Sequence, residues 1–267
     1  MTKSKQNNIS QIKSFYNKLA PIYNEMIFFN RRFKNEIPIF KKLIEKFQIR
    51  TAIDAGCGTG FHSIILSKLG IKVWAIDISG KMLEQLKINS KNDNLNIITV
   101  KTSFDNINKV VKENVDSIFC LGNSLPHTIS SNQLKKSIKN FYSILKPNGI
   151  IILQILNYDR ILKKRQRIQS IKENRKYFFI RFYDYKSSII RFNILTINKS
   201  KRKITHSIQS TLLRPITSKY IENLLLSTGF RDINFYANLK FDRFYRNISI
   251  DMIVFAKKPK QEKNEEI

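Results

Sequence analysis

The chain has few acidic residues for its size. Its 267 residues include 20 Asp and Glu against 48 Lys and Arg, which gives a formal charge of +28 at pH 7. Such an excess of positive charge would attract phosphate-rich partners or an anionic membrane surface. The chain is also rich in Lys, Asn and Ile, residues with AT-rich codons, and we favour this compositional explanation. Charge alone therefore leaves a nucleic-acid partner open.

The chain has only two cysteines and no long apolar run. Cys57 and Cys120 form no CxxC pair, so we expect reduced thiols in a cytoplasmic protein and no metal site. The first ten residues lack the apolar core of a signal peptide. The longest apolar run, Ile150–Leu156, is interrupted by Gln154 and is far shorter than the ~20 residues that cross a bilayer. We expect a soluble protein without a membrane partner.

Two patterns of apolar residues divide the chain. Residues 1–50 carry apolar side chains at helical spacing, and from Thr51 short apolar runs alternate with amphipathic stretches. This alternation predicts βαβ units, hence a doubly wound α/β fold whose mostly parallel sheet has seven strands. The core comprises residues 51–159 and 216–257. Its predicted strands are Thr51–Ala55, Val73–Ile76, Asn96–Val100, Val115–Leu121, Gly149–Leu156, Ile233–Tyr236 and Ile250–Ala256.

Residues 160–215 interrupt this pattern as an insert. From Arg160 to Arg181 there are nine Lys and Arg and a single acid, Glu173. Runs with β alternation predict an inserted antiparallel β meander. These runs are Tyr177–Tyr185, Ile189–Ile197 and Lys203–Leu213. The charged tail, residues 258–267, is predicted to be disordered.

A glycine-rich segment ends the first predicted strand and opens a helix. Gly56, Gly58 and Gly60 let the backbone turn sharply and approach a ligand, with helix N–H groups directed at it. Asp77 follows seventeen residues after Gly60 and closes the second strand. A carboxylate at that edge of the sheet can accept both hydroxyls of a ribose.

The DxGxGxG pattern that begins at Asp54 resembles the first motif of class I, Rossmann-like S-adenosylmethionine-dependent methyltransferases, and Asp77 matches the ribose acid of that family. The resemblance covers about residues 50–156 and 217–257 and implies S-adenosylmethionine as cofactor. After the third strand, Ser103-Phe104 stands where the family usually places an acidic or polar residue that meets the adenine amine. The implied cofactor contacts in the core are Asp54, Gly56, Cys57, Gly58, Gly60, Asp77, Ile78, Met82, Ser103, Phe104 and Leu121.

A narrower resemblance rests on two short motifs. The segments Phe119–His127 and Asn157–Asp159 are similar to the corresponding strand ends of glycine and sarcosine N-methyltransferases. Asn123 and His127 lie at the carboxyl edge where the methyl group should project, so we expect them to be catalytic residues, with His127 able to assist as a general base. A turn-forming Asn and a His that caps a helix are the alternatives. The resemblance implies substrate contacts for Asn123, Asn157 and Tyr158. The N-terminal segment is similar to the lid of those enzymes, which implies cofactor contacts for Tyr16, Tyr23 and Arg32.

One residue departs from that narrower pattern. The amino-acid methyltransferases carry an arginine directly before Asn-Tyr-Asp, where it holds the substrate carboxylate. This chain has Leu156 at that position, and a leucine cannot pair with a carboxylate. Glycine is therefore a doubtful acceptor unless another cation, for instance from the insert, takes over.

We expect methyl transfer to a small molecule, to an amine nitrogen rather than an oxygen. One alternative is an RNA methyltransferase whose basic insert grips phosphates, although the Asn/Asp-Pro-Pro-aromatic motif of many such enzymes is missing. Another is a non-catalytic basic binding protein on the same scaffold.

As a lid, the insert would cover a closed pocket with its charges in solvent. As an RNA grip, its charges would line an open groove. The oligomeric state stays open.

Overall fold

The structure is a computed structural model that describes residues 3–91, 93–200 and 203–260. Strands and helices are numbered along the chain. The helices are α1 Lys3–Ile27, α2 Phe29–Phe47, α3 Phe61–Lys68, α4 Gly80–Asn89, α5 Ile107–Val110, α6 Ser131–Ile144, α7 Tyr158–Lys164 and α8 Ser218–Thr228. The strands are β1 Thr51–Ala55, β2 Lys72–Asp77, β3 Ile97–Lys101, β4 Val115–Cys120, β5 Leu145–Leu156, β6 Ile168–Glu173, β7 Tyr177–Tyr185, β8 Ile190–Asn198, β9 Thr205–Leu213, β10 Arg231–Tyr236 and β11 Asp251–Lys257.

The larger sheet has seven strands in the order β10-β11-β5-β4-β1-β2-β3. Neighbours from β5 to β3 run parallel, whereas β11 runs antiparallel to both β5 and β10. The predicted seven-stranded, mostly parallel sheet is confirmed. Its central strands are buried because apolar side chains cover both faces of a parallel sheet. The strand order reverses between β1 and β4, and in such sheets ligands bind beyond the carboxyl ends at that point.

The N-terminal segment forms two helices, as its periodicity predicts. Helix α1 packs against α4 of the core and against β7 and β9 of the insert. Its buried side chains include Ile12, Phe15 and Leu19, three of the residues at helical spacing. The chain turns at Phe28, which adopts the left-handed conformation with φ 53° between α1 and α2. Helix α1 therefore bridges the core and the insert.

The insert forms a four-stranded antiparallel sheet in the order β6-β7-β8-β9. The predicted meander is correct in kind, but the structure has one strand more than the three predicted runs. Strand β6 lies in the Lys- and Arg-rich stretch, which sequence reasoning treated only as a basic segment. A register shift between Ile168 and Ser170 breaks the two-residue alternation, so the usual strand signal is weakened there.

The predicted disordered tail begins too early at residue 258. Lys258 is bound to the core: its ammonium donates to the carbonyl oxygens of Tyr142 at 2.9 Å and Leu145 at 2.6 Å. Its backbone amide also donates to Gly149 at 2.8 Å. Residues 261–267, where the rest of that prediction falls, lie outside the described residues. Within the described part of the chain, no helix combines the length and apolar character needed to cross a membrane.

Candidate active site

The loop between β1 and α3 passes very close to two neighbouring segments. Gly56 and Gly60 have φ of 80° and 86°, in the left-handed region that favours glycine. A Cβ at Gly56 would lie 2.7 Å from the Ser124 side chain, and one at Gly60 would lie 2.4 Å from Leu86. The Gly56 amide also donates to the Ile76 carbonyl at 2.8 Å. Glycine is required at both positions because no side chain fits there.

Asp77, at the end of β2, is a buried carboxylate on a cavity wall. Its oxygens accept the backbone amides of Gly58 at 2.9 Å and Ser79 at 2.8 Å. Burial raises the pKa of Asp77 to about 6, and the hydrogen bonds from those two amides act in the opposite direction. Asp77 is therefore ionised at neutral pH, and each oxygen keeps a further lone pair for a ligand. Ser79 also caps α4 by accepting the Met82 amide at 3.2 Å.

The cavity beside Asp77, called here the Asp77 cavity, lies over the carboxyl ends of β1, β2 and β3. The space between its walls, counted together with the solvent at its open mouth, is about 750 Å³. The predicted site residues on its wall are Tyr16, Tyr23, Gly56, Gly58, Asp77, Ile78, Ser103, Phe104 and His127.

An acid that sequence reasoning missed lies beyond β3. Ser103 and Phe104 line the Asp77 cavity as expected, but the Ser103 hydroxyl donates to the carboxylate of Asp105 at 2.6 Å. Asp105 is itself buried and lies on the same cavity wall. The family pattern of an acidic or polar residue at this point is thus met by the pair, with Asp105 as its acidic member. The sequence signal that could have identified this acid is the Asp two residues after Ser103.

Helix α1 supplies wall residues that the sequence motifs did not indicate. Asn8, Ile9 and Ile12 all line the Asp77 cavity. Ile9 and Ile12 belong to the helical periodicity of the N-terminal segment, which identifies a buried helix face. Periodicity does not show whether such a face packs against a core or against a ligand.

A second cavity, called here the insert cavity, lies between the carboxyl edge of the larger sheet and one face of the insert sheet. It shares six wall residues with the Asp77 cavity, so the two cavities adjoin; these are Tyr16, Tyr23, Gly56, Gly58, Ser124 and His127. Predicted residues that line only the insert cavity are Arg32, Cys57, Leu121 and Asn123. The insert side of its wall includes Ser170, Lys172, Arg181 and Tyr183.

Tyr16 and His127 meet where the two cavities join. The Tyr16 hydroxyl lies 2.7 Å from His127 Nε2, and the rings contact edge to face with centroids 5.3 Å apart. Burial lowers the pKa of His127 to about 4, so the imidazole is neutral at neutral pH. Burial also raises the pKa of Tyr16 well above its ordinary value. The pair connects α1 to the turn after β4 through uncharged groups.

Asn123 lies at the end of β4 in the left-handed conformation, with φ 63°. Its side-chain oxygen accepts the Leu156 amide at 3.0 Å, and its side-chain nitrogen donates to the Tyr158 hydroxyl at 3.1 Å. Asn123 lines the insert cavity. The Asn123 side chain thus connects the carboxyl ends of β4 and β5 at the cavity wall.

The predicted substrate residues Asn157 and Tyr158 do not reach either cavity wall. Both are fully buried. The Asn157 carboxamide donates to the carbonyls of Arg246 at 2.9 Å and Ser249 at 2.8 Å, and its oxygen accepts the Arg160 amide at 3.3 Å. These partners use both ends of the carboxamide, so Asn157 anchors the segment before β11. Tyr158 lies behind the cavity wall, and its hydroxyl accepts a hydrogen bond from the wall residue Asn123.

Three predicted cofactor residues also lie outside both walls. Asp54 is buried in β1, where it accepts the Ser63 hydroxyl at 2.6 Å. Gly60 packs against Leu86, and the Met82 side chain is fully buried. The motif therefore contains residues that shape the loop as well as residues that can touch a ligand.

Arg32, on α2, is already partnered. Its Nε donates to Glu36 at 2.8 Å, and its guanidinium lies 4.3 Å from the centre of the Phe61 ring. These contacts hold the guanidinium at the wall of the insert cavity.

Four basic residues near the start of the insert face solvent, whereas Arg160 lines the insert cavity. Lys163, Lys164, Arg165 and Arg167 are all exposed. Arg167 pairs with Asp184 at 3.1 Å, and Arg165 lies over the Tyr185 ring at 5.1 Å. None of these four lines the Asp77 cavity or the insert cavity.

Comparison with known proteins agrees with this geometry. Residues 52–149 match the family model described as a methyltransferase domain. A glycine/sarcosine N-methyltransferase from Aphanothece halophytica is 28% identical over 88% of this chain and 86% of its own length. One from Parasynechococcus marenigrum is 32% identical over 57% of this chain and 54% of its own length.

Solved structures show the same fold at low sequence identity. An S-adenosylmethionine-dependent methyltransferase from Clostridium acetobutylicum superposes with a TM-score of 0.78, at 19% identity over 91% of this chain and 99% of its own. The sugar N-methyltransferase KedS8 from a Streptoalloteichus species gives 0.65, at 12% identity over 85% and 88%. These structures show the fold, and the family model over residues 52–149 and the curated relatives define the class. The chain is a class I, Rossmann-like methyltransferase with S-adenosylmethionine as cofactor.

Proposed function

We propose that the chain methylates an amine nitrogen of a small molecule held in the insert cavity. The observation that carries this proposal is that Gly56, Gly58 and Ser124 lie on the walls of both cavities. A cofactor in the Asp77 cavity would reach the junction, and the acceptor would approach from the insert side. The two curated relatives named above are glycine/sarcosine N-methyltransferases, which supports nitrogen over oxygen.

The Asp77 cavity has the groups that S-adenosylmethionine requires. Asp77 offers an ionised, buried carboxylate to the ribose hydroxyls, and Asp105 with Ser103 offers hydrogen-bond acceptors to the adenine amine. Gly58 opens space at the turn: a Cβ there would meet only Tyr23, at 3.6 Å. Arg32 lies on the wall of the adjoining insert cavity and, beside its bond to Glu36, would pair with the carboxylate at the methionine end. When bound, the cofactor supplies a methyl group already activated on sulfur, so the protein needs mainly to align it.

Tyr16 and His127 are proposed to position rather than to carry protons. A base must accept a proton near the working pH, whereas burial lowers the pKa of His127 to about 4 and its Nε2 already contacts Tyr16. This departs from the expectation that His127 assists as a general base. We propose that His127 holds Tyr16 over the glycine turn and that water takes the proton lost by the acceptor.

The insert is proposed to act as a lid with α1 and α2. Its sheet covers the carboxyl edge of the core, and α1 contacts both. Because the exposed cations from Lys163 to Arg167 lie outside both cavity walls, the geometry favours a lid over an RNA-binding groove. A dry pocket beneath the lid would strengthen the polar contacts that align the acceptor.

Calorimetry on Asp77→Ala tests the cofactor half of the proposal. Each hydrogen bond to a charged group contributes about 1.5–3 kcal/mol, and every ~1.4 kcal/mol is tenfold in affinity. We expect at least tenfold weaker S-adenosylmethionine binding. Glu84→Gln is the matched control, because Glu84 is an exposed acid on the next helix that pairs only with Lys81 among the described residues. Equal affinity of Asp77→Ala and the control would refute the assignment.

A further inference from the structure

The face of the insert sheet that lines the insert cavity contains an unexpected charge. On β7, Phe179, Arg181 and Tyr183 alternate along this face, and Phe179 and Tyr183 are buried. An arginine between two buried aromatic residues is costly unless it has a partner. Ser170 on β6 lies directly opposite Arg181 in the antiparallel register, and Lys172 is two residues further along the same face.

Two polar atoms of this group are buried without a hydrogen-bond partner. They are the Arg181 Nε and the Ser170 hydroxyl, and both residues line the insert cavity. Among the described residues, neither Arg181 nor Lys172 pairs with an acid. On the opposite side of the same sheet, Arg167 is paired with Asp184. The solvent side thus supplies an acid for its cation, whereas no acid among the described residues pairs with Arg181 or Lys172 on the cavity side.

The cations also repel one another. Burial lowers the pKa of the Lys172 ammonium, and the positive charges of Arg181 and Arg32 lower it further. Among the described residues that line this cavity, Asp251 is the only acid, and burial raises the pKa of its carboxyl group. An anion bound between Lys172 and Arg181 would relieve the repulsion and supply the missing acceptors.

We propose that Arg181, Lys172 and Ser170 bind a carboxylate of the methyl acceptor, which is therefore an amine that also carries a carboxylate. The inference rests on the proposed function and narrows its substrate class. Leu156, which replaces the family's carboxylate-binding arginine, lines the same cavity, so the charge is supplied from the insert instead. Arg181 offers planar, paired donors that match the two oxygens of a carboxylate.

The same cations would favour the reactive form of the acceptor. A positive charge near an ammonium group lowers its pKa, and only the neutral amine has the lone pair that attacks a methyl group. The attack forms the nitrogen–carbon bond, breaks the carbon–sulfur bond, and leaves a proton on nitrogen that passes to water. Binding the carboxylate and lowering the pKa of the amine would thus be one electrostatic effect.

The experiment uses labelled S-adenosylmethionine and two acceptor mixtures. One mixture contains α-amino acids together with sarcosine, and the other contains the amines that result when each loses its carboxyl group. We expect label to be transferred to the first mixture only. Label in the second mixture to an equal or greater extent would overturn the carboxylate site and leave N-methylation standing. Label in neither mixture would refute the proposed function, and this inference with it.

Protein variants are then assayed with the acceptor that is labelled most strongly, to test the individual residues. Arg181→Gln and Lys172→Gln should each raise KM about tenfold to a hundredfold, the loss expected for a charged hydrogen bond. Calorimetric affinity for S-adenosylmethionine should stay within about twofold, because the proposed contact is with the acceptor. Arg167→Gln is the matched control and should change neither quantity. An unchanged KM in both cavity variants, or weaker cofactor binding with an unchanged KM, would overturn the proposal.

Discussion

The two sheets turn opposite charges toward the cavities. At the carboxyl edge of the larger sheet, the Asp77 carboxylate accepts the backbone amides of Gly58 and Ser79. On the cavity face of the insert sheet, the Arg181 Nε is buried without a hydrogen-bond partner. Because buried polar groups are normally satisfied, Asp77 is held in place by the protein, whereas Arg181 keeps a donor for a ligand.

The largest effect on stability is expected from Asn157→Ala. The change leaves the Arg246 and Ser249 carbonyls and the Arg160 amide without their partner, and each lost buried hydrogen bond costs about 1–3 kcal/mol. We expect the free energy of unfolding to fall by about 3 kcal/mol in denaturant titrations. Turnover per folded molecule should stay close to the native value.

Asn123→Ala is the comparison for that variant, since Asn123 lies on the wall of the insert cavity. We expect it to reduce turnover more than stability. If Asn157→Ala instead loses turnover at full stability, the anchoring role assigned to Asn157 is wrong.

His127 should give the next largest effect, through pH. Its folded pKa of about 4 lies below the ordinary 6.5, so the unfolded chain binds a proton first as the pH falls. The stability that the neutral ring contributes is complete above pH 6.5 and is lost as the pH falls toward 4. Asp77 has the opposite sign: its folded pKa of about 6 exceeds the ordinary 3.8, so its protonation adds stability below pH 6.

The measurement compares the native chain with His127→Gln at pH 7 and pH 4.5. The stability of the native chain relative to the variant should fall by about 2–3 kcal/mol between these values. A difference that does not change with pH would show that His127 is not buried in neutral form. Asp77 is present in both proteins, so its opposing contribution cancels.

A smaller effect is expected from crowding at the glycine turn. Gly60→Ala would place a Cβ 2.4 Å from Leu86, whereas Gly70→Ala has nothing within 4 Å. Both glycines have positive φ, 86° and 85°, so the conformational cost is shared. Overpacking typically costs about 1–3 kcal/mol, and we expect Gly60→Ala to be less stable than Gly70→Ala by about 2 kcal/mol. Equal thermal midpoints would argue against the close contact with α4.

The smallest effect is expected on the solvent side of the insert. Replacing Lys163, Lys164, Arg165 and Arg167 together by Gln should change stability by less than about 1 kcal/mol, because exposed ion pairs contribute little. Small-molecule turnover should be unchanged. Tight, salt-sensitive RNA binding that this variant loses, together with methyl transfer to RNA, would instead favour the alternative function.

The core strands were predictable because their burial on both faces leaves continuous apolar runs. Strand β1 was predicted with its observed bounds, and the other core strands differ mainly at their ends. Ser79 stands between β2 and α4, and its side chain caps the helix by accepting the Met82 amide. Strand β6 was missed because a register shift and its many polar residues hide the alternation.

Residue types indicated which chemical groups the site contains more reliably than they indicated which side chains face a cavity. Asp77 lies on a cavity wall, as its place after β2 indicated. Asn157 and Tyr158 follow β5 in a motif that resembles a substrate-binding segment, yet both side chains are buried away from the cavities. The Asn157 carboxamide binds backbone carbonyls of the segment before β11, and the Tyr158 hydroxyl binds Asn123. Asp105 was missed because the motif places its acidic or polar residue two positions earlier.

The fold and the cofactor followed from local features of the chain: buried strands, a turn that only glycine can adopt, and an acid at a strand end. The acceptor site depended on long-range contacts. Arg181 is one of nine cations in a basic stretch of sequence, and the predicted strand run Tyr177–Tyr185 did not show which of its faces would meet a cavity. Arg167, just before β6, meets Asp184 in solvent. Only the pairing of β7 with β6 and the packing of the insert sheet place Arg181 on the cavity face beside Ser170, because successive side chains of a strand point to opposite faces.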